Sequence, residues 1–223
     1  MAGNIRAFVA EFLGTFAWVT IVAGSVASNA VSHMGTPAVA AAQGLVVAAV
    51  FASFGKHTIG LFNPAFTIAL AVTRKLDWVK AALAVGCQLL GAAFAGLFLA
   101  KVFAHAGVVS DPPYLGTPTA AHLGYRAATL VEAVLTFFLM FAACRPWGDM
   151  SESERNGAAL IVGAAAGAAM LFGGALSGAA LNPARAFGPA VASGFWTQHY
   201  VYWLGPVAGA VLATILSRFF LDK

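Results

Sequence analysis

The chain has 223 residues, of which 61% are hydrophobic and only 9% charged. Soluble domains carry about 25% charged residues, so this balance, with a mean hydropathy of +0.85, excludes an ordinary soluble fold and points to a helical membrane protein. A net charge of +4 could suggest nucleic acid in a soluble chain. In an apolar one it reads as the basic bias of one membrane face, and no nucleic-acid partner is expected.

Six stretches, taken in chain order, approach the roughly 20 apolar residues that a span requires: Ile5 to Ala27, Ala38 to Gly55, Trp78 to Ala100, Ala127 to Ala143, Gly157 to Gly173 and Tyr200 to Phe220. None alternates apolar and polar residues at period two, which argues against a membrane β-barrel. The first stretch is followed by Ser28-Asn29-Ala30, which resembles a signal-peptide cleavage site. Its length, and Glu11 within it, argue against cleavage. If the spans alternate in direction, Arg6, Lys56, Arg74, Lys75, Lys80, Arg145, Arg155, Arg218 and Lys223 share one side. Only Lys101 and Arg126 fall near the other. The basic side is cytoplasmic by the positive-inside rule, so both termini are expected there, in a multi-pass protein of a prokaryotic-type inner or plasma membrane.

Cys87 and Cys144 both fall in expected spans and read as two buried free thiols. No His/Cys cluster has metal-ligand spacing, and neither a metal nor another cofactor is expected.

The chain repeats itself. Ala-Glu-Phe-Leu-Gly-Thr-Phe from Ala10 is matched by Val-Glu-Ala-Val-Leu-Thr-Phe from Val131, each with Glu and, four residues on, Thr (Glu11/Thr15, Glu132/Thr136). The triplet Asn63-Pro64-Ala65 returns as Asn182-Pro183-Ala184 at nearly the same offset. The single domain 1–223 is therefore read as two halves, 1–105 and 124–223, joined by a linker at 106–123. Each half has three spans, and three is odd. The second half must enter from the opposite face, giving an inverted repeat.

Asn is a favoured N-cap and Pro a favoured first helical residue. Each triplet thus starts a helix. The helix after Asn63 ends near Val72, before Thr73-Arg74-Lys75, and is too short to cross a hydrocarbon core of about 30 Å. Two half-helices from opposite faces would together make about one crossing, with their N-termini meeting near the midplane. The loops leading to them are tolerated at that depth only in protein or beside a watery cavity. Such loops line a narrow pore with carbonyl acceptors. The Asn amides donate into its centre, and the helix N-termini set a positive barrier against cations. The expected fold is an all-α membrane protein of six transmembrane helices plus two re-entrant half-helices in an inverted 3+3 repeat.

These residues resemble the aquaporin (major intrinsic protein) family, the resemblance running through AEFLGTF, FNPAFT, CQLLGAAFAG, VEAVLTFFL, SGAALNPARAFGP and YWLGPVAGA. It implies a homotetramer with one pore per protomer, and passive conduction of water or small neutral solutes across the bilayer. It also implies a selectivity constriction at Gln43, Met170, Ala179 and Arg185, with Gly44 replacing Gln43 if the first loop shifts by one residue. Gln43 and Met170 depart from the aromatic and His of strict water channels, and the lead-in His57-Thr58-Ile59-Gly60 lacks the usual Ser-Gly-Ala-His. Ala186, Ala190 and Tyr202-Trp203 resemble the water branch. Glu11 and Glu132 are expected to brace the re-entrant loops, with Gln88 bonding to loop backbone.

The alternatives are a broader facilitator of glycerol, urea, ammonia or metalloid acids, and an inverted-repeat secondary transporter using the two Glu residues. An intramembrane enzyme acting through Ser177 lacks a neighbouring base, since His33, His57, His105, His122 and His199 fall in loops or near span ends.

Overall fold

The computed structural model describes residues 2–107, 114–120 and 123–221. Parts of the expected linker, including Asp111, Pro112, Pro113 and His122, and the terminal Lys223 lie outside the described residues. The described residues form eight α-helices: α1 (Ala2–Ser32), α2 (Thr36–Phe54), α3 (Pro64–Val72), α4 (Trp78–His105), α5 (Tyr125–Ala143), α6 (Glu152–Gly173), α7 (Pro183–Ser193) and α8 (Val201–Leu221). A single 3-10 turn, Tyr114–Gly116, lies between α4 and α5.

Six of the eight are long and apolar enough to cross a membrane. All six expected spans are present, and several helices extend beyond them. The extensions have local causes. Asp77 caps α4 by accepting from Val79 and Lys80 N–H. Ser151 and Glu154 form a reciprocal capping box at the start of α6, the Ser-x-x-Glu pattern that satisfies two orphan donors at a helix start. That signal starts α6 five residues before Gly157.

The packing partners follow the repeat. α1 lies against α4 as α5 lies against α8, α4 meets α7 as α8 meets α3, and α2 crosses α6. The close approaches correspond too. A Cβ at Gly91 of α4 would strike the Phe12 carbonyl of α1, and one at Gly209 of α8 would strike the Ala133 carbonyl of α5. Small residues let apolar helices approach where no hydrophobic force distinguishes helix from lipid. The Gly/Ala run from Gly163 does the same, pressing on Gly44 and Ala48 of α2.

The polarity of the molecule is inverted relative to a soluble protein. Leu45, Leu90, Phe138, Leu160 and Leu204 are more than half exposed on the outer face. Glu11, Gln43, Asn63, Gln88, Glu132, Asn182 and Arg185 are all buried. Lipid solvates the first group. The second needs partners inside, because an unpaired buried polar group is costly. The thiols differ in part from expectation. Both are free, but only Cys144 is buried, at the C-cap of α5, while Cys87 is partly buried on α4.

Candidate pore and its two re-entrant loops

α3 and α7 have 9 and 11 residues, about 14 and about 17 Å at 1.5 Å per residue. Neither spans a bilayer alone; together they match one crossing. Asn63 and Asn182 cap them in near-identical geometry. Each is extended, with φ of −148° and −152°, and accepts from the N–H two residues on, Ala65 or Ala184, with Pro64 or Pro183 at the first turn.

The two caps are also tied to each other. Asn63 Nδ2 donates to the Leu181 carbonyl at 2.9 Å, and Asn182 Nδ2 donates to the Phe62 carbonyl at 3.0 Å. Each amide thus bonds the residue just before the opposite Asn, which puts the two helix N-termini face to face. The sequence leads one to expect both amides to donate into the centre of the pore; one N–H of each is committed across the pair, and the second N–H of each NH2 group is left for that role.

The loops reach these caps through strained backbone. Leu61 and Phe62 have φ of 58°, Leu181 has 58° and Ala179 has 42°. Left-handed non-Gly residues cost about 1–3 kcal/mol each and persist only where surroundings over-determine them. Glu11 supplies that in the first loop. Its Oε1 accepts from Thr58 Oγ1 (2.5 Å), Ile59 N–H (2.8 Å) and Gly60 N–H (2.7 Å), and its Oε2 from Phe62 N–H (2.9 Å) and Gln88 Nε2 (2.7 Å). Glu132 acts on the second loop with fewer bonds, from Ser177 Oγ (2.7 Å), Ala180 N–H (3.0 Å) and Leu181 N–H (2.8 Å). Gln88 touches loop backbone only weakly, at the Gly60 carbonyl (3.4 Å). Its firmer bonds go to Glu11 and Thr67.

The sequence reading passed over several partners. Thr67 Oγ1 lies 2.9 Å from both the Gly60 and the Asn63 carbonyls and shares its one proton between them, folding the first loop onto α3. Tyr202 Oη donates to the Ser177 carbonyl at 2.8 Å. Thr15 Oγ1 donates to the Phe62 carbonyl, whereas its repeat counterpart Thr136 has no partner. Position within the repeat was the available signal for Thr15, but nothing local pointed to Tyr202 or Thr67.

A mouth opens at each loop. One, of about 390 Å³, is bordered by Thr58, Ile59 and Leu61 with Lys75, Arg145 and Trp147. The other, of about 700 Å³, is bordered by Val26, Val39, Gly116, Met170, Gly178 and Arg185. Of the four residues expected at the constriction, Met170 and Arg185 therefore border the second mouth. Ala179 is buried in the adjoining loop. Gln43 is buried one turn below Val39, where its Nε2 donates to the Ala166 carbonyl of α6 at 2.9 Å. Gly44 instead faces α6 backbone at Gly163 and Gly167. Arg185 Nη1 donates to the Gly116 carbonyl at 2.6 Å. The 3-10 turn that presents this carbonyl is held by Tyr114 stacking on Phe195, ring centroids 4.0 Å apart.

His199, between α7 and α8, packs edge-on to Trp196 at 4.8 Å and is partly buried, and burial lowers its imidazole below the ordinary His value. The Ser177 hydroxyl is engaged with Glu132, and among the described residues it is not paired with a His. Among the described residues no cluster of His, Cys, Asp and Glu could hold a metal ion.

The family described as Major intrinsic protein matches residues 1–217. Aquaporin TIP4-4 of Zea mays is 40% identical over 96% of this chain and 86% of its own length. Probable aquaporin TIP3-2 of Oryza sativa subsp. japonica is 36% identical over 99% and 83%. Aquaporin-4 of Mus musculus is 34% identical over 96% and 67%. The X-ray structure of the aquaglyceroporin from Plasmodium falciparum shares the fold, with a TM-score of 0.78 at 22% identity over 97% of this chain and 95% of that one. Two half-helices joined cap to cap within six spans, and a family match over almost the whole length, make this chain a member of the major intrinsic protein family.

Proposed function

We propose that this protein is a passive transmembrane channel for water that also admits small uncharged solutes. The observation that carries the reading is the reciprocal pair, Asn63 to the Leu181 carbonyl and Asn182 to the Phe62 carbonyl. It holds two helix N-termini against each other between two open mouths. Each N-terminus carries roughly half a positive charge before screening, which opposes cations, hydrated protons included, while leaving neutral molecules free to exchange hydrogen bonds. The relatives named as aquaporins support water as the permeant.

Gln43, Met170, Ala179 and Arg185 form the constriction in this reading, with Arg185 fixing its polar side. Glu11 and Glu132, with Gln88 behind Glu11, act as braces for the loops. That role also weighs against a secondary transporter, because the carboxylates a coupling ion would need are engaged with loop donors. The chain has no enzymatic role in this reading. Its halves are 1–105 and 124–223, and it assembles as a homotetramer with one pore per protomer. Lys75 and Arg145 border the smaller mouth, which is the cytoplasmic one by the positive-inside rule; both termini lie on that side. The relatives come from plants and a rodent and lend no support to a prokaryotic-type membrane.

Stopped-flow light scattering on proteoliposomes tests the reading. Rapid osmotic shrinkage with a low activation barrier and no response to a proton gradient is expected. Saturable, proton-coupled flux would overturn it.

A further inference from the structure

Among the described residues, the buried side-chain atoms without a partner include Trp18 Nε1, a donor, and Gln43 Oε1, an acceptor, besides Thr20 Oγ1, Thr136 Oγ1, Arg185 Nε and His199 Nε2. Trp18 and Gln43 are both 0% exposed. The orientation of the Gln43 amide is fixed chemically. Its nitrogen donates to the Ala166 carbonyl, and only the NH2 end can do so. The free atom is therefore the oxygen.

Both residues lie between the larger mouth and the Asn pair, Gln43 nearer the mouth and Trp18 nearer the pair. On α1, the face that carries Thr15 continues through Trp18 and Val22 to Val26. Thr15 Oγ1 bonds the Phe62 carbonyl, the same oxygen that takes Asn182. Val26 borders the mouth. Trp18 is about 5 Å above the first and about 12 Å below the second at 1.5 Å per residue. On α2, Val39 borders the mouth, and Phe51 packs edge-on to the Phe62 ring at 5.3 Å. Gln43 sits between, about 6 Å below Val39.

Buried donors and acceptors in native proteins are nearly always paired, and each exception needs a reason. Here an acceptor and a donor stand unpaired on two helices that both border the mouth above, the acceptor nearer the mouth. We propose that Gln43 and Trp18 are two successive polar steps in the pore: the Gln43 oxygen accepts from each passing molecule, and the indole N–H donates to it one step deeper. The steps take small uncharged molecules that both donate and accept hydrogen bonds. Trp18 is thereby a specificity-determining residue beyond the four of the expected constriction. The inference rests on the channel reading.

The test compares wild type with Trp18→Phe, Gln43→Met and the double variant in proteoliposomes. Gln43→Met keeps the volume but removes the free oxygen together with the nitrogen that bonds the Ala166 carbonyl; Trp18→Phe keeps an aromatic ring, smaller than indole, and removes the N–H. Water permeability per protomer is expected to fall roughly three- to tenfold in each single variant, the range for one lost hydrogen bond, with a higher activation barrier. The double variant should be slower than either single, because each atom serves its own step and the two barriers lie in series. Wild-type permeability and barrier in both single variants would overturn the proposal, as would a double variant no slower than the slower single. A density map of the wild-type protein, recorded in parallel, should show a water bonded to each atom. A protein partner on either atom would overturn the proposal without any variant having to fold. A wild type that conducts no water would instead refute the channel reading.

Discussion

Replacing Glu11 with Ala should do more damage than any other single truncation inside the bundle. The change removes the acceptor for three backbone N–H groups, those of Ile59, Gly60 and Phe62, and for the Thr58 hydroxyl and the Gln88 amide. An orphaned buried donor costs about 1–3 kcal/mol. Water entering the vacated space would recover part of this, leaving a loss of roughly 3–6 kcal/mol. The backbone strain at Leu61 and Phe62 would lose its restraint, so the first loop should relax and Asn63 should drift from the Leu181 carbonyl. Glu132→Ala strands fewer groups, the N–H of Ala180 and Leu181 and the Ser177 hydroxyl, and should cost less, roughly 2–4 kcal/mol. The assay is thermal unfolding in detergent followed by size exclusion, with water flux measured on the same preparations. For a chain of this size 1 kcal/mol is worth about 2–4 °C, so Glu11→Ala should lower the midpoint by on the order of 10 °C and depress flux. A midpoint within about 2 °C of wild type together with normal flux would refute the bracing argument. So would a larger loss in Glu132→Ala than in Glu11→Ala.

Arg185→Val removes the bond to the Gly116 carbonyl and the one charge that borders the larger mouth among the described residues, and should admit larger solutes or cations; unchanged selectivity in solute-flux and conductance measurements would count against its filter role. Met170→His places a donor where a thioether now stands and should lower the glycerol-to-water permeability ratio, which the same stopped-flow assay reads. For His199, burial favours the neutral ring in the folded state. The unfolded chain therefore binds more protons below the ordinary His value of about 6.5, and its stabilising contribution is complete above that pH and lost as pH falls through it. Unfolding midpoints between pH 5 and 8 should drop on the acid side in wild type and less in His199→Gln; parallel profiles would remove His199 as the cause.

Much of this molecule is written locally in the chain. The apolar runs, the caps at Asn63 and Asn182, the prolines after them and the Glu/Thr repeat each report a short-range physical preference, and together they dictate six spans and two half-helices. The capping box at Ser151 was equally local and accounts for the longer α6. Residue-level partnerships are of another kind. That Asn63 bonds the Leu181 carbonyl, 118 residues away, depends on two loops arriving at one depth from opposite faces, and no window of sequence contains both. The same holds for Arg185 with Gly116 and for Tyr202 with Ser177. A hydrogen bond is decided by position to within a few tenths of an ångström, and only the packed helices fix positions so finely. The sequence alone determined that polar groups would be carried into an apolar interior. The tertiary structure decided which of them are spent on one another and which are left unpaired.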